Sequence, residues 1–151
     1  MLDRFEQFCN AISSIHLSIQ RIEREQMSRY GLKGPHAQCL LTMARHPQGI
    51  TAARLCQLCE KDKAAISRTV AELEAAQMIS REDPSGKRYR TMLCLTPRGL
   101  AVAEEVRELV SQAVSQASEG YDDRTRETFV RVLNLIAGNL QNLCEQGLQN
   151  E

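Results

Sequence analysis

Apolar residues fall at Phe5, Phe8, Ile12, Ile15, Ile19 and Ile22, spacings of three and four that draw one stripe along a helix. A second stripe, Phe129, Val132, Leu133, Ile136, Leu140 and Leu143, marks another long helix at the far end of the chain. Each seam is longer than the core of a small chain can cover. The pattern therefore predicts that these helices pack on each other or on a second copy, as a dimerisation layer.

Between the stripes the punctuation changes. Gly34-Pro35-His36 opens a helix bearing Leu40, Leu41 and Met43, which must stop at His46-Pro47-Gln48-Gly49. Ile50-Thr51 forms a short extended link. Thr51 is placed to cap a helix bearing Leu55 and Leu58, and Asp62 to cap the next, bearing Ile66, Val70 and Leu73. Two short helices thus meet at a tight corner. A strand from Ile79 to Glu82, a turn at Asp83-Pro84-Ser85-Gly86 and a second strand ending Met92-Leu93-Cys94-Leu95 make a hairpin. Thr96-Pro97 is a strong helix start, because the hydroxyl caps and proline loses nothing in a first turn. The helix it opens is expected to reach about Glu119.

A chain of 151 residues, 42% hydrophobic, supports one compact core, so a single domain over 1–151 is expected. No apolar run is long enough to span a bilayer, and Met-Leu-Asp-Arg-Phe-Glu has no basic segment leading into an apolar one, which points to a soluble cytoplasmic protein without a membrane partner. Six scattered cysteines lack the spacing of a disulfide-stapled domain and read mostly as reduced core residues. The formal charge is zero, but unevenly spread. Residues 61–98 hold eight basic and five acidic side chains, net +3, whereas 99–151 hold four basic and nine acidic, net −5. A basic middle and an acidic tail suit a protein with one face toward phosphates.

On the helix after Asp62, Ile66, Val70 and Leu73 occupy one arc, which must face the core. Ala64, Arg68, Ala71 and Ala75 lie opposite, with Lys63 and Ser67 on a flank. Small residues beside an arginine and a hydroxyl can approach base-pair edges and offer donors, although an alanine-rich solvated face would look the same in isolation. The hairpin shifts that balance: from Pro84 to Arg98 there are four basic residues (Lys87, Arg88, Arg90, Arg98) and no acidic one.

Asp62-Lys63-Ala64-Ala65-Ile66-Ser67-Arg68-Thr69-Val70, Leu73-Glu74, Met78-Ile79-Ser80-Arg81, the basic turn and Leu95-Thr96-Pro97-Arg98-Gly99 together resemble the MarR family of bacterial regulators, most sharply over residues 50–99. The resemblance implies a mainly α (α+β) fold: a winged helix-turn-helix lobe over 34–99, a connecting helix over 96–119, and long N- and C-terminal dimerisation helices over 1–30 and 120–151. It implies a homodimer on a palindromic double-stranded operator, with recognition helices roughly 34 Å apart. Lys63, Ala64, Ser67, Arg68 and Ala71 would meet the groove and its phosphates, and Lys87, Arg88 and Arg90 would form the wing. It implies also a repressor released by a small phenolic or anionic effector. Many relatives carry an aspartate beside the wing arginine, where this chain has Gly86 before Lys87-Arg88.

His16, Arg21, His36 and Cys39 are the residues we single out for an anionic effector. Cys9 resembles the sensing cysteine of hydroperoxide-responsive relatives, which makes a thiol-redox regulator the alternative; such a site must lower the thiol pKa and admit the oxidant. Cys56 and Cys59 form a C-x-x-C that suggests zinc or a dithiol oxidoreductase, but a structural zinc site needs four ligands and no second pair accompanies it, so no metal or other cofactor is expected. His16, His36 and His46 form no triad with a nucleophile, which argues against an enzyme. A winged helix turned protein-interaction adaptor remains the option from another class.

Overall fold

The computed structural model describes residues 2–82 and 91–147. The expected turn at Asp83–Gly86 and the wing residues Lys87, Arg88 and Arg90 lie outside them. The element order is α1 (Leu2–Ser28), α2 (Gly34–Ala44), α3 (Ala52–Cys59), α4 (Lys63–Ala75), β1 (Ile79–Glu82), β2 (Met92–Leu95), α5 (Pro97–Ala117) and α6 (Asp123–Gln146). Residues 1–113 and 114–151 form two compact units.

In the larger unit, the core gathers Leu40 and Met43 of α2, Leu55 of α3, Ile66, Val70 and Leu73 of α4, Met78, Leu93, and Val102 and Val106 of α5. α1 adds Met27 to it, through its last turn. The helices begin where the capping residues stand. Thr51 Oγ1 accepts from Arg54 N at 3.2 Å, and Asp62 Oδ1 accepts from Ala65 N at 2.8 Å. These side chains satisfy backbone N–H groups that a helix start leaves unpaired. The α3–α4 corner is closed by Glu60, held in the left-handed region at φ 51°.

β1 and β2 pair antiparallel with Ile79 opposite Leu95 and Glu82 opposite Met92. Ile50 adds a third rung, its N–H donating to Leu93 O at 3.0 Å and its carbonyl accepting from Leu93 N at 2.8 Å. The brief extended link expected at Ile50-Thr51 therefore belongs to the hairpin. The start of α5 is fastened to this sheet: Thr96 Oγ1 donates to Gln77 O at 2.7 Å and accepts from Gly99 N at 3.1 Å.

The stripe on α1 is only partly covered. Phe8, Ile12, Ile19 and Ile22 are half-buried, while Phe5 and Ile15 are exposed. In the smaller unit α6 buries none of its residues, and Phe129, Val132, Leu140 and Leu143 are exposed. Asp122 caps α6 by accepting from Thr125 N at 2.7 Å, and hydrogen bonding with the Thr125 side chain, joined by this backbone bond, lowers its carboxyl pKa. None of the described helices is long and apolar enough to cross a membrane.

Candidate nucleic-acid interface

α4 has two faces of opposite character. Ile66 and Val70 are each 2% exposed and Leu73 is fully buried, so this arc is locked into the core. Lys63, Ala64, Ser67, Arg68 and Ala71 are all exposed on the remaining surface. The arrangement follows from about 100° of turn per residue, and it leaves two cations and a hydroxyl beside side chains no longer than a methyl.

Two polar contacts hold the C-terminal half of α4. Arg81 of β1 makes a bidentate pair with Glu74, Nε to Oε1 at 2.8 Å and a terminal nitrogen to Oε2 at 3.0 Å. This hydrogen-bonded pairing raises the Arg81 pKa further and ties the base of the hairpin to the helix. On the other side, His36 Nε2 lies 2.6 Å from Glu72 Oε2. Lys33 N donates to His36 Nδ1 at 2.9 Å, which leaves the ring proton on Nε2 to be donated to Glu72. The imidazole thus serves the N-terminus of α2 and α4 at once.

Beside this contact is a cavity of about 230 Å³, with Lys33, His36, Cys39, Lys61, Arg68 and Glu72 in its wall. Of the four residues singled out for an effector, His36 and Cys39 line it; His16 and Arg21 do not. Both of the latter are exposed on α1, where Arg21 pairs with Glu25 at 3.0 Å. Lys33, Lys61 and Glu72 are charged cavity residues that the sequence pattern does not single out, although Lys61 belongs to the basic stretch.

The cysteines need a correction. Cys39 and Cys59 are buried, Cys56 and Cys94 partly so, but Cys9 and Cys144 are exposed. The expectation of a mostly core role holds in full for two, because α1 turns Cys9 away from its covered face and α6 buries nothing. Among the described residues no three His, Cys, Asp or Glu side chains form a metal-binding group.

Residues 30–88 match the sequence profile of the MarR family. Over that stretch the chain is similar to MarR-family domains. Solved structures extend the likeness in fold to nearly the whole chain. A MarR transcriptional regulator from Methanosarcina mazei aligns with a TM-score of 0.79 at 20% identity, over 91% of this chain and 99% of that one. A putative MarR-family regulator from Listeria monocytogenes, solved with a 26mer DNA, aligns with a TM-score of 0.78 at 16% identity, over 95% of this chain and 97% of that one. MepR of Staphylococcus aureus, a transcription regulator of the multidrug efflux pump MepA, aligns with a TM-score of 0.68 at 14% identity, over 88% of this chain and 98% of that one. No curated protein matches the chain in sequence. The mainly helical fold with a small antiparallel hairpin is the winged-helix architecture of MarR-family regulators.

Proposed function

We propose that this protein is a sequence-specific, double-stranded DNA-binding transcription regulator that works as a homodimeric repressor released by a small phenolic or anionic ligand. The observation that carries the DNA-binding part is α4. Its apolar arc is locked in the core while Lys63, Ala64, Ser67, Arg68 and Ala71 stand exposed together. In this proposal Arg68 and Ser67 offer donors to base edges, Lys63 meets phosphate, and the alanines let the helix approach. Lys87, Arg88 and Arg90 contact the flanking backbone as the wing. The Listeria monocytogenes protein, similar in fold and solved with a 26mer DNA, supports DNA binding as the reading.

The uncovered apolar side chains of α6 favour a second copy as their partner, since a face of this kind is costly to leave in water. The cavity beside His36 favours an anionic effector, because Lys33, Lys61 and Arg68 supply positive charge in its wall. A ligand there engages Arg68, so ligand and duplex compete for one side chain, which is the differential binding that release requires.

The test is selection of bound duplexes from a random pool at moderate salt. The expected result is a palindromic consensus enriched by the wild type, and loss of that preference in Arg68→Ala with the circular dichroism spectrum retained. Absence of any enrichment by the wild type would overturn the proposal.

A further inference from the structure

Cys39 and Cys59 come from different helices, α2 and α3, and meet inside the core at 1% and 2% exposure. Cys39 and Thr42 are three residues apart and so share one face of α2. Cys59 Sγ lies 3.7 Å from Thr42 Oγ1, and Gln38 Nε2 donates to Cys59 O at 3.3 Å, so the end of α3 is seated on that face. The two thiols are thereby neighbours in the core, and each perturbs the other's ionisation. That proximity lowers the pKa of Cys59, helped by Thr42, Arg45 and Lys61, and raises that of Cys39. Of the two, Cys59 is the readier to ionise. Cys39 also forms part of the wall of the cavity beside α4, so the Cys39 side of the pair borders a space that a small solute can enter.

We propose that Cys39 and Cys59 form a redox modification site, a dithiol that a hydroperoxide converts to an intrachain disulfide linking α2 to α3. The Cys59 thiolate attacks one peroxide oxygen; the S–O bond forms as the O–O bond breaks, and the departing oxygen takes a proton and leaves as alcohol or water. Cys39 then attacks the sulfenic sulfur; the S–S bond forms as the S–O bond breaks, and hydroxide leaves as water with the Cys39 proton. Two electrons pass from the two thiols to one hydroperoxide. A disulfide holds its sulfurs at about 2.05 Å, closer than two unbonded thiols, so the end of α3 is drawn toward α2. The corner that follows Cys59 carries α4, and its presentation changes with that shift. This last consequence rests on the proposed DNA binding; the bridge itself does not.

The experiment treats the whole protein with stoichiometric hydrogen peroxide and maps its tryptic peptides without reduction. The expected product is peptide 34–45 joined to peptide 55–61, with an intact mass lower by about 2 Da, and with the link retained in Cys56→Ser. A bridge through Cys56, a bridge between two chains, or no mass loss would overturn the proposal. Duplex affinity, measured on the same samples, is expected to fall at least about tenfold on oxidation and to return with a dithiol reductant. A mapped bridge with unchanged affinity would overturn the regulatory consequence. A reduced protein with no duplex affinity would instead overturn the proposed function, while the peptide map still decides the bridge.

Discussion

His36 and Glu72 stand 36 residues apart in sequence, yet His36 Nε2 donates to Glu72 Oε2 across 2.6 Å. Their side chains are 3% and 51% exposed, so the contact has a buried and a wet end. Removing the buried end leaves a hole and strands Lys33 N, whereas removing the wet end lets water serve the imidazole. His36→Ala is accordingly expected to cost about 2–3 kcal/mol. Glu72→Ala is expected to cost under about 1 kcal/mol. Urea denaturation of both variants checks this; equal losses would show that burial is not what distinguishes the partners.

A second prediction concerns the close approach of α5 to the sheet. A Cβ added at Gly99 would sit 1.9 Å from Met78 O and 2.8 Å from Met78 C, both backbone atoms that cannot swing aside. Thr96 N also donates to Met78 O at 3.0 Å, so retreat of the helix breaks that bond as well. Gly99→Ala is expected to destabilise by about 3 kcal/mol, at the upper end for overpacking. An unchanged urea midpoint would show that α5 can slide at no cost.

Glu23 on α1 provides a pH signature. Burial raises its carboxyl pKa above the ordinary value, and the attraction of His16 only partly opposes this. An acid whose folded pKa is raised contributes stability that is fully present below its unfolded pKa and is lost as pH rises through the folded one. The wild type should therefore lose stability relative to Glu23→Gln as pH climbs from about 4 toward 7. Denaturation midpoints for the pair across that range decide it; a gap that narrows with rising pH would contradict the burial argument.

Elements that depend on local chemistry were legible in the sequence. Thr51, Asp62 and Thr96 cap as their side chains and positions suggest, the first strand runs from Ile79 to Glu82 and the second ends at Leu95 as expected, and the buried arc of α4 follows from helical phase. Pairings between helices were not. Neither His36–Glu72 nor Cys39–Cys59 has a spacing that periodicity registers, because each depends on how α2 lies against α3 and α4. The cavity likewise gathers His36 and Cys39 but not His16 and Arg21, which helical pattern alone does not separate. Composition says which groups a ligand would need, but the rotation of α1 turns those two outward.

Lys63 and Arg68 share the exposed face of α4 but are assigned different work, and salt separates them. A lysine on phosphate releases a counterion whatever the sequence, so Lys63→Ala should weaken all duplexes alike and reduce the slope of log affinity against log salt by about 0.9. Arg68→Ala should instead narrow the gap between the selected duplex and a scrambled one. Fluorescence anisotropy titrations at several salt concentrations measure both quantities. A selectivity loss in Lys63→Ala equal to that in Arg68→Ala would reverse the assignment.

The apolar stripe of α6 makes the last prediction. Phe129 and Leu140 are 56% and 52% exposed on a helix that buries nothing, and they recur at the spacing of a seam. If a second copy covers them, a carboxylate placed there must be desolvated against its partner and the assembly weakens by several kcal/mol. Phe129→Glu with Leu140→Glu should therefore shift the sedimenting species from dimer to monomer at micromolar protein. The larger unit has its own core in residues 1–113, so helical content from that part should persist. Duplex binding should then need higher protein concentration, since a monomer engages only one half-site. A wild type that sediments as a monomer, or a double variant that remains a dimer, would show that α6 is not the seam.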